Sequence, residues 1–217
     1  MSSDNARHTH LVHTADGSPS LYSERFGQHY HSMHGAVQES RHVFLEHGLQ
    51  AQHQRTIRLL EFGFGTGLNA WLTAQLDVLV KYTALEAFPV EMAMAEAYAE
   101  QLPDPLLLMD MHRAPWGLPA PLAPHFSLLK LQQDFLSPLP VGPFNVVYFD
   151  AFSPEKQPEL WTTDMFLRIW QACDTGAVLT TYCAKGQVRR NMVRAGWKVE
   201  KLPGPPGKRE MLRAWKM

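Results

Sequence analysis

Apolar positions along this chain come in short blocks, and the blocks alternate between two periods. Ile57, Leu59, Leu60 and Phe62 form a run that stops at Gly63, the form of a strand buried on both faces. The next residues read GFGTGLN, after which Leu68, Trp71, Leu72 and Leu76 recur at helical spacing. Further strands are predicted at Tyr82 to Glu86, Phe126 to Leu131, Asn145 to Phe149, Ala177 to Tyr182, Trp197 to Leu202 and Glu210 to Trp215. Helices are predicted at Phe88 to Leu102, with Pro89 in its first turn, at Trp161 to Ala172 and at Lys185 to Ala195. The stretch from Leu102 to Pro124 holds six prolines and reads as a long connection with one short helix at Leu106 to His112.

Upstream of the first run, Ala36, Val37, Ser40, Val43, Phe44 and Leu45 give a helical face ended by Gly48. Tyr22, Phe26, Tyr30 and Met33 precede it and are able to pack across a crevice. Residues 1–20 read as a flexible segment, which leaves 21–217 as one domain. Strands alternating with helices imply an α/β fold with a mainly parallel sheet. The GPPG connection at 204–207 is too short for a parallel crossover, so the last two strands, if neighbours, form an antiparallel hairpin. Seven strands ending in such a hairpin match a Rossmann-like, class I S-adenosylmethionine (SAM) methyltransferase.

Composition narrows the class. No stretch approaches the roughly 18 apolar residues of a membrane span, and the polar N-terminus is no secretory signal. The two cysteines, Cys173 and Cys183, give no disulfide framework or zinc motif, which fits a cytoplasmic protein without a metal. A net charge of −1 argues against holding nucleic acid by charge alone but leaves room for a local basic face.

The candidate chemistry gathers at strand ends, where open α/β sheets bind ligands. Gly63, Gly65 and Gly67 let the backbone approach a ligand closely, and Thr66 or Asn69 is placed to cap the following helix. Three acids fall at strand ends, Glu61, Glu86 and Asp150, and Asp134 lies just beyond another strand. Glu86 is positioned to accept both ribose hydroxyls of an adenosine, and Asp134 the adenine amino group, with Phe135 against the ring. Glu61 orders the glycine loop or binds the ammonium of a methionine moiety. The glycines are spaced two and two, unlike the GxGxxG of dinucleotide sites, and several acids suit a sulfonium better than a diphosphate. Asp150 opens the stiff loop DAFSPEKQPELW and is the candidate to orient an acceptor amine or take up its proton. Lys185, Arg189 and Arg190 form a basic helix edge. With Lys156, Lys208 and Arg209 they are candidates for RNA phosphates, while Phe64, Phe152 and Trp161 are candidates to stack on a base.

The chain resembles the methyltransferase half of the bacterial tRNA 5-methylaminomethyl-2-thiouridine biosynthesis bifunctional protein and its stand-alone relatives. The resemblance lies in YSERFGQHYHS, GAVQESRHVFLEHG, LLEFGFGTGLN, YTALEAFPV, DAFSPEKQPELWT and KREM, across most of Leu21 to Trp215. It implies SAM-dependent methylation of the 5-aminomethyl group of the wobble uridine, or 2-thiouridine, in the anticodon region of tRNA. It also implies that Glu61, Gly63, Phe64, Gly65, Thr66, Gly67 and Glu86 bind SAM and that Asp150 is the acid at the target amine. Tyr22, Glu39 and the KREM segment would then line the cleft. Ala151 stands where the family commonly has glycine. The larger relatives carry an FAD-dependent oxidase that has no counterpart here, so no FAD is expected and separate enzymes would make the aminomethyl precursor. A small-molecule amine methyltransferase and a non-catalytic RNA-binding adaptor are the competing readings.

Overall fold

In the computed structural model, which describes residues 9–217, the chain opens with a small antiparallel sheet of β1 (Thr9–His13), β2 (Pro19–Ser23) and β3 (Gln28–His29). The first eight residues of the expected flexible segment lie outside the described residues. The remainder is ordered by pairing: Leu11 stands opposite Leu21 in the β1–β2 ladder, and Leu21 is fully buried. A single buried leucine among polar neighbours is what the sequence pattern missed. α1 (Ala36–Ser40) continues into a π-helical turn at Arg41–Glu46, which buries Val43, Phe44 and Leu45.

The large sheet and its helices follow in order: β4 (Thr56–Phe62), α2 (Leu68–Ala74), β5 (Leu79–Glu86), α3 (Met92–Ala99), α4 (Pro105–Arg113), β6 (Ala120–Ala123) and β7 (Phe126–Gln132). Then come β8 (Phe144–Phe149), α5 (Thr163–Gln171), β9 (Cys173–Thr181), α6 (Gly186–Arg194), β10 (Lys198–Pro203) and β11 (Glu210–Trp215). Strand order across the sheet is β10-β11-β9-β8-β4-β5-β7-β6. The seven expected strands are present, β10 and β11 form the antiparallel hairpin, and the fold is class I SAM-dependent methyltransferase, Rossmann-like. The eighth strand, β6, comes from the proline-rich connection and pairs antiparallel with β7 at the sheet edge, where Pro121 withdraws no donor from a second neighbour.

Alternation in β4 divides two cores. Ile57 and Leu59 pack with α2, α3, α4 and the π-helical turn, while Leu60 and Phe62 face α5 and α6. Glu61 therefore points to the α2 side, with 1% of its surface exposed. α3 starts later than expected, at Met92. Phe88 precedes a proline and is biased toward extended backbone, and its N–H donates to Glu86 Oε1 at 2.8 Å. Cys173 and Cys183 are buried and free. Among the described residues no helix is long and apolar enough to cross a membrane.

Candidate active site

Two parallel ladders bring the site together. Phe62 of β4 stands opposite Leu85 of β5 and Phe149 of β8, so both neighbours end level with the glycine turn. The Gly63 and Phe64 N–H groups donate to the Leu85 carbonyl at 3.0 and 3.2 Å, and the Asp150 N–H donates to the Phe62 carbonyl at 3.2 Å. The turn needs glycine at two points in particular. Gly65 has φ 51°, and a Cβ there would lie 3.0 Å from the Tyr30 ring. Gly67, at φ 77°, occupies the N-cap position of α2, and a Cβ on it would lie 2.9 Å from Leu108. Neither Thr66 nor Asn69 caps the helix, contrary to expectation, because no side chain bonds its first turn. Thr66 Oγ1 instead faces His31 Nε2 at 3.4 Å, and Asn69 reaches the acids.

Beside this turn lies a cavity of about 550 Å³, within the range of small-molecule sites. Its floor is the end of the large sheet, and its roof is the chain from Tyr22 to Ser40. Of the residues expected at the site, Gly63, Phe64, Gly65, Thr66, Asn69, Glu86, Asp150, Phe152, Tyr22, Glu39 and Lys208 line it. Glu61, Gly67, Asp134, Lys185, Arg189 and Arg209 are not in the lining. Glu61 is bonded by Asn69, and Gly67 stands at the start of α2. Asp134 is exposed and its Oδ1 accepts the Leu136 N–H at 2.8 Å, a turn acid that leaves Phe135 to face the cavity. Lys185 is exposed and paired with Glu155, and Arg189 and Arg209 also lie outside the lining. Helical spacing had grouped Lys185 and Arg189 on one edge without saying which way that edge faces.

The carboxyl groups are unequal. Asn69 Nδ2 donates to Glu61 Oε1 at 3.0 Å and to Asp150 Oδ2 at 2.9 Å, so one amide bridges two buried acids. Burial and then the neighbouring Asp150 push the Glu61 carboxyl well above its ordinary range. Burial and then Glu39 do the same to Asp150, against the Asn69 hydrogen bond and the charge of Lys208. Glu86 is raised by burial, although the Gly65 N–H at 2.9 Å and the Phe88 N–H favour its ionised form. On the roof side, Glu39 accepts the Ser32 N–H at 2.7 Å and pairs with Lys208, whose ammonium lies 4.1 Å from the Tyr182 ring centroid. The Tyr182 hydroxyl donates to the Ala151 carbonyl at 2.9 Å.

These residues fit SAM on two counts. A Cβ on Gly63 would lie 3.0 Å from the Asp150 carbonyl and one on Gly65 3.0 Å from the Tyr30 ring, so glycine backbone keeps the cradle open at both points. Asn69 Oδ1, in the cavity lining, is also a buried acceptor with no hydrogen-bond partner, which is what a ligand ammonium would use.

Sequence reasoning missed several members. His31 lines the cavity, and burial and then Lys208 lower it to about 4. Behind the glycine turn, His112 Nε2 bonds the Thr66 carbonyl at 2.9 Å, and the buried Lys130 ammonium donates to the His112 carbonyl at 2.6 Å. Only YSERFGQHYHS, too rich in aromatics and histidine for a plain linker, carried a signal for the first of these. Among the described residues, His42, Glu46 and His47 group their donor atoms within 4.8 Å of one another, outside the cavity lining.

Comparison with known proteins agrees with this geometry. The family described as S-adenosyl-L-methionine-dependent methyltransferase matches residues 131–217. A tRNA 5-methylaminomethyl-2-thiouridine biosynthesis bifunctional protein from Delftia acidovorans is 34% identical over 92% of this chain and 34% of its own length. Its counterpart in Ectopseudomonas mendocina is 32% identical over 88% of this chain and 32% of its own. The chain thus spans about a third of the length of the curated relatives it matches. The crystal structure of MNMC2 from Aquifex aeolicus superposes with TM-score 0.75 at 27% identity, covering 95% of this chain and 70% of that one. A spermidine synthase complexed with a transition-state analogue shares the fold at TM-score 0.64 and 14% identity, over 95% of this chain and 69% of its own.

Proposed function

The chain is a SAM-dependent methyltransferase homologue of the methyltransferase domain in these bifunctional tRNA-modification proteins, and on that premise we propose that it methylates the 5-aminomethyl group of the wobble uridine, or 2-thiouridine, in tRNA. The observation that carries this reading is Asp150, a raised carboxyl in the cavity wall beside the glycine turn.

When bound, SAM supplies an electrophilic methyl group on a sulfonium. Glu86, oriented by the Gly65 and Phe88 N–H groups, would accept the ribose hydroxyls, and Asn69 with Glu61 behind it would take the ammonium of the methionine end. Phe64 and Phe135 offer apolar surface to the adenine. An amine acceptor must present an unprotonated lone pair, so the acceptor side needs a base that also fixes direction. Asp150 is suited to both tasks. Its raised pKa makes it a better proton acceptor than an ordinary carboxylate, and the Asn69 bond to Oδ2 fixes its rotation. The RNA contacts proposed for Lys185, Arg189 and Arg209 would lie outside the cavity, as phosphate contacts that position without reading bases.

The test is transfer of labelled methyl from SAM to tRNA carrying 5-aminomethyl-uridine, beside unmodified tRNA and free small amines. Label in the aminomethyl tRNA alone is the expected result. Label in the small amines with none in that tRNA would reverse the assignment of substrate.

A further inference from the structure

We propose that Phe26 and Phe152, at the mouth of the cavity, form a stacking slot that receives the pyrimidine base bearing the acceptor amine. This rests on the reading of Asp150 as the group beside that amine. The two rings are half-buried and stacked, with centroids 4.3 Å apart and planes at 27°. They are held very differently. Phe152 sits on a braced loop: its N–H donates to Gln157 Oε1 at 3.1 Å, its carbonyl accepts the Trp161 indole N–H at 2.9 Å, and Tyr30 packs edge-on at 5.3 Å. Phe26 rides on the turn between β2 and β3, through its own N–H to Ser23 Oγ at 3.4 Å and the Gly27 N–H to the Glu24 carbonyl at 3.2 Å. One ring sits on a loop braced by side chains on both its N–H and its carbonyl, and the other is carried on a short turn between two strands.

The surroundings identify what the slot takes. Phe152 lies two residues beyond Asp150, and both line the same cavity. The Arg25 guanidinium lies 3.6 Å from the Phe88 ring centroid, and Phe88 is 5.9 Å from Phe26. Lys156 Nζ comes within 3.3 Å of where a Gly27 Cβ would stand. Arg25 and Lys156 are both exposed. Exposed cations beside paired aromatic rings are the combination that holds single-stranded nucleic acid, with charges on phosphates and rings on bases. An aliphatic amine has no use for such a slot. Admitting a base requires the rings to part from 4.3 Å to roughly 7 Å, two contact distances of about 3.5 Å, and with Phe152 braced the displacement falls to Phe26.

The test uses the full chain and anticodon stem-loop RNAs that carry either uridine or an abasic residue at the wobble position. Wild-type protein should bind the uridine loop about tenfold more tightly than the abasic loop at one fixed salt concentration. Phe26→Leu and Phe152→Leu should erase that difference, and Phe26→Tyr should keep it. SAM affinity and melting temperature, measured on the same samples, separate a lost stack from a lost fold. In steady-state transfer to the aminomethyl RNA, Phe26→Leu should raise KM for RNA by the same factor. The slot is refuted if wild type does not distinguish the two loops, or if Phe26→Leu retains the preference. Discrimination without methyl transfer would uphold the slot and overturn the proposed reaction. Transfer with an unchanged KM in Phe26→Leu would do the opposite.

Discussion

His112 ties the acid stability of the protein to the loop that carries the glycine turn. Its Nε2 lies 2.9 Å from the Thr66 carbonyl, so that nitrogen carries the hydrogen; the bond by itself favours the charged ring, and burial outweighs it to make the neutral ring the form the fold selects. Burial, aided by the charge of Lys130, lowers it from the ordinary 6.5 to about 4. A depressed pKa contributes stability that is fully present above 6.5 and is lost as pH falls through 4. At pH 5 the unfolded ring is almost wholly protonated while the native ring is not. At 1.36 kcal/mol per unit, the native state gives up about 2 kcal/mol between pH 8 and pH 5 on this account. Glutamine at this position keeps an N–H for the Thr66 carbonyl and cannot titrate. In urea unfolding at the two pH values, His112→Gln should therefore lose about 2 kcal/mol less than wild type. His31, also lowered to about 4, acts in the same direction in both proteins. Glu61, Glu86 and Asp150, being raised, act in the opposite direction, and they too are common to both. Equal losses in the two proteins would mean that His112 is not held neutral, and the reasoning would fail.

Two other substitutions probe the cavity itself. Asp150→Asn keeps the shape but removes the base, so single-turnover methyl transfer should fall about 10²- to 10⁴-fold with SAM affinity little changed; retained transfer would remove Asp150 from the chemistry. Gly65→Ala combines φ 51° with a Cβ 3.0 Å from the Tyr30 ring, whereas Gly117→Ala has φ 79° and nothing within 4 Å. Both should lose about 1–2 kcal/mol in denaturant unfolding from backbone strain, but only Gly65→Ala should also weaken SAM binding by calorimetry.

The order of elements was legible in the sequence because the apolar runs of β4, β5 and β8 each end abruptly at glycine or an acid. That same abruptness singled out Glu86 and Asp150, both of which line the cavity, since parallel strands deliver their C-terminal ends to one edge of the sheet. Position along a strand does not give side-chain direction, however, which is why Asp134 reads like Glu86 yet serves its own turn. β1 and β2 escaped notice because THLVH and PSLYS bury few apolar side chains, and β6 because an edge strand tolerates the prolines that elsewhere signal a loop. His112 and Lys130 could not be read at all. A buried polar residue looks like a surface residue until the partners that satisfy it are brought close, and theirs come from 46 and 18 residues away.

The roof over the cavity shares no ladder with its floor: β1, β2 and β3 form a sheet separate from the eight-stranded one. Tyr22 and Phe26 come from the small sheet, whereas Asp150 and Phe152 come from the loop after β8 of the large one. The place where an acceptor would enter is therefore shared between two frameworks, and any change of recipient molecule has to be matched on both.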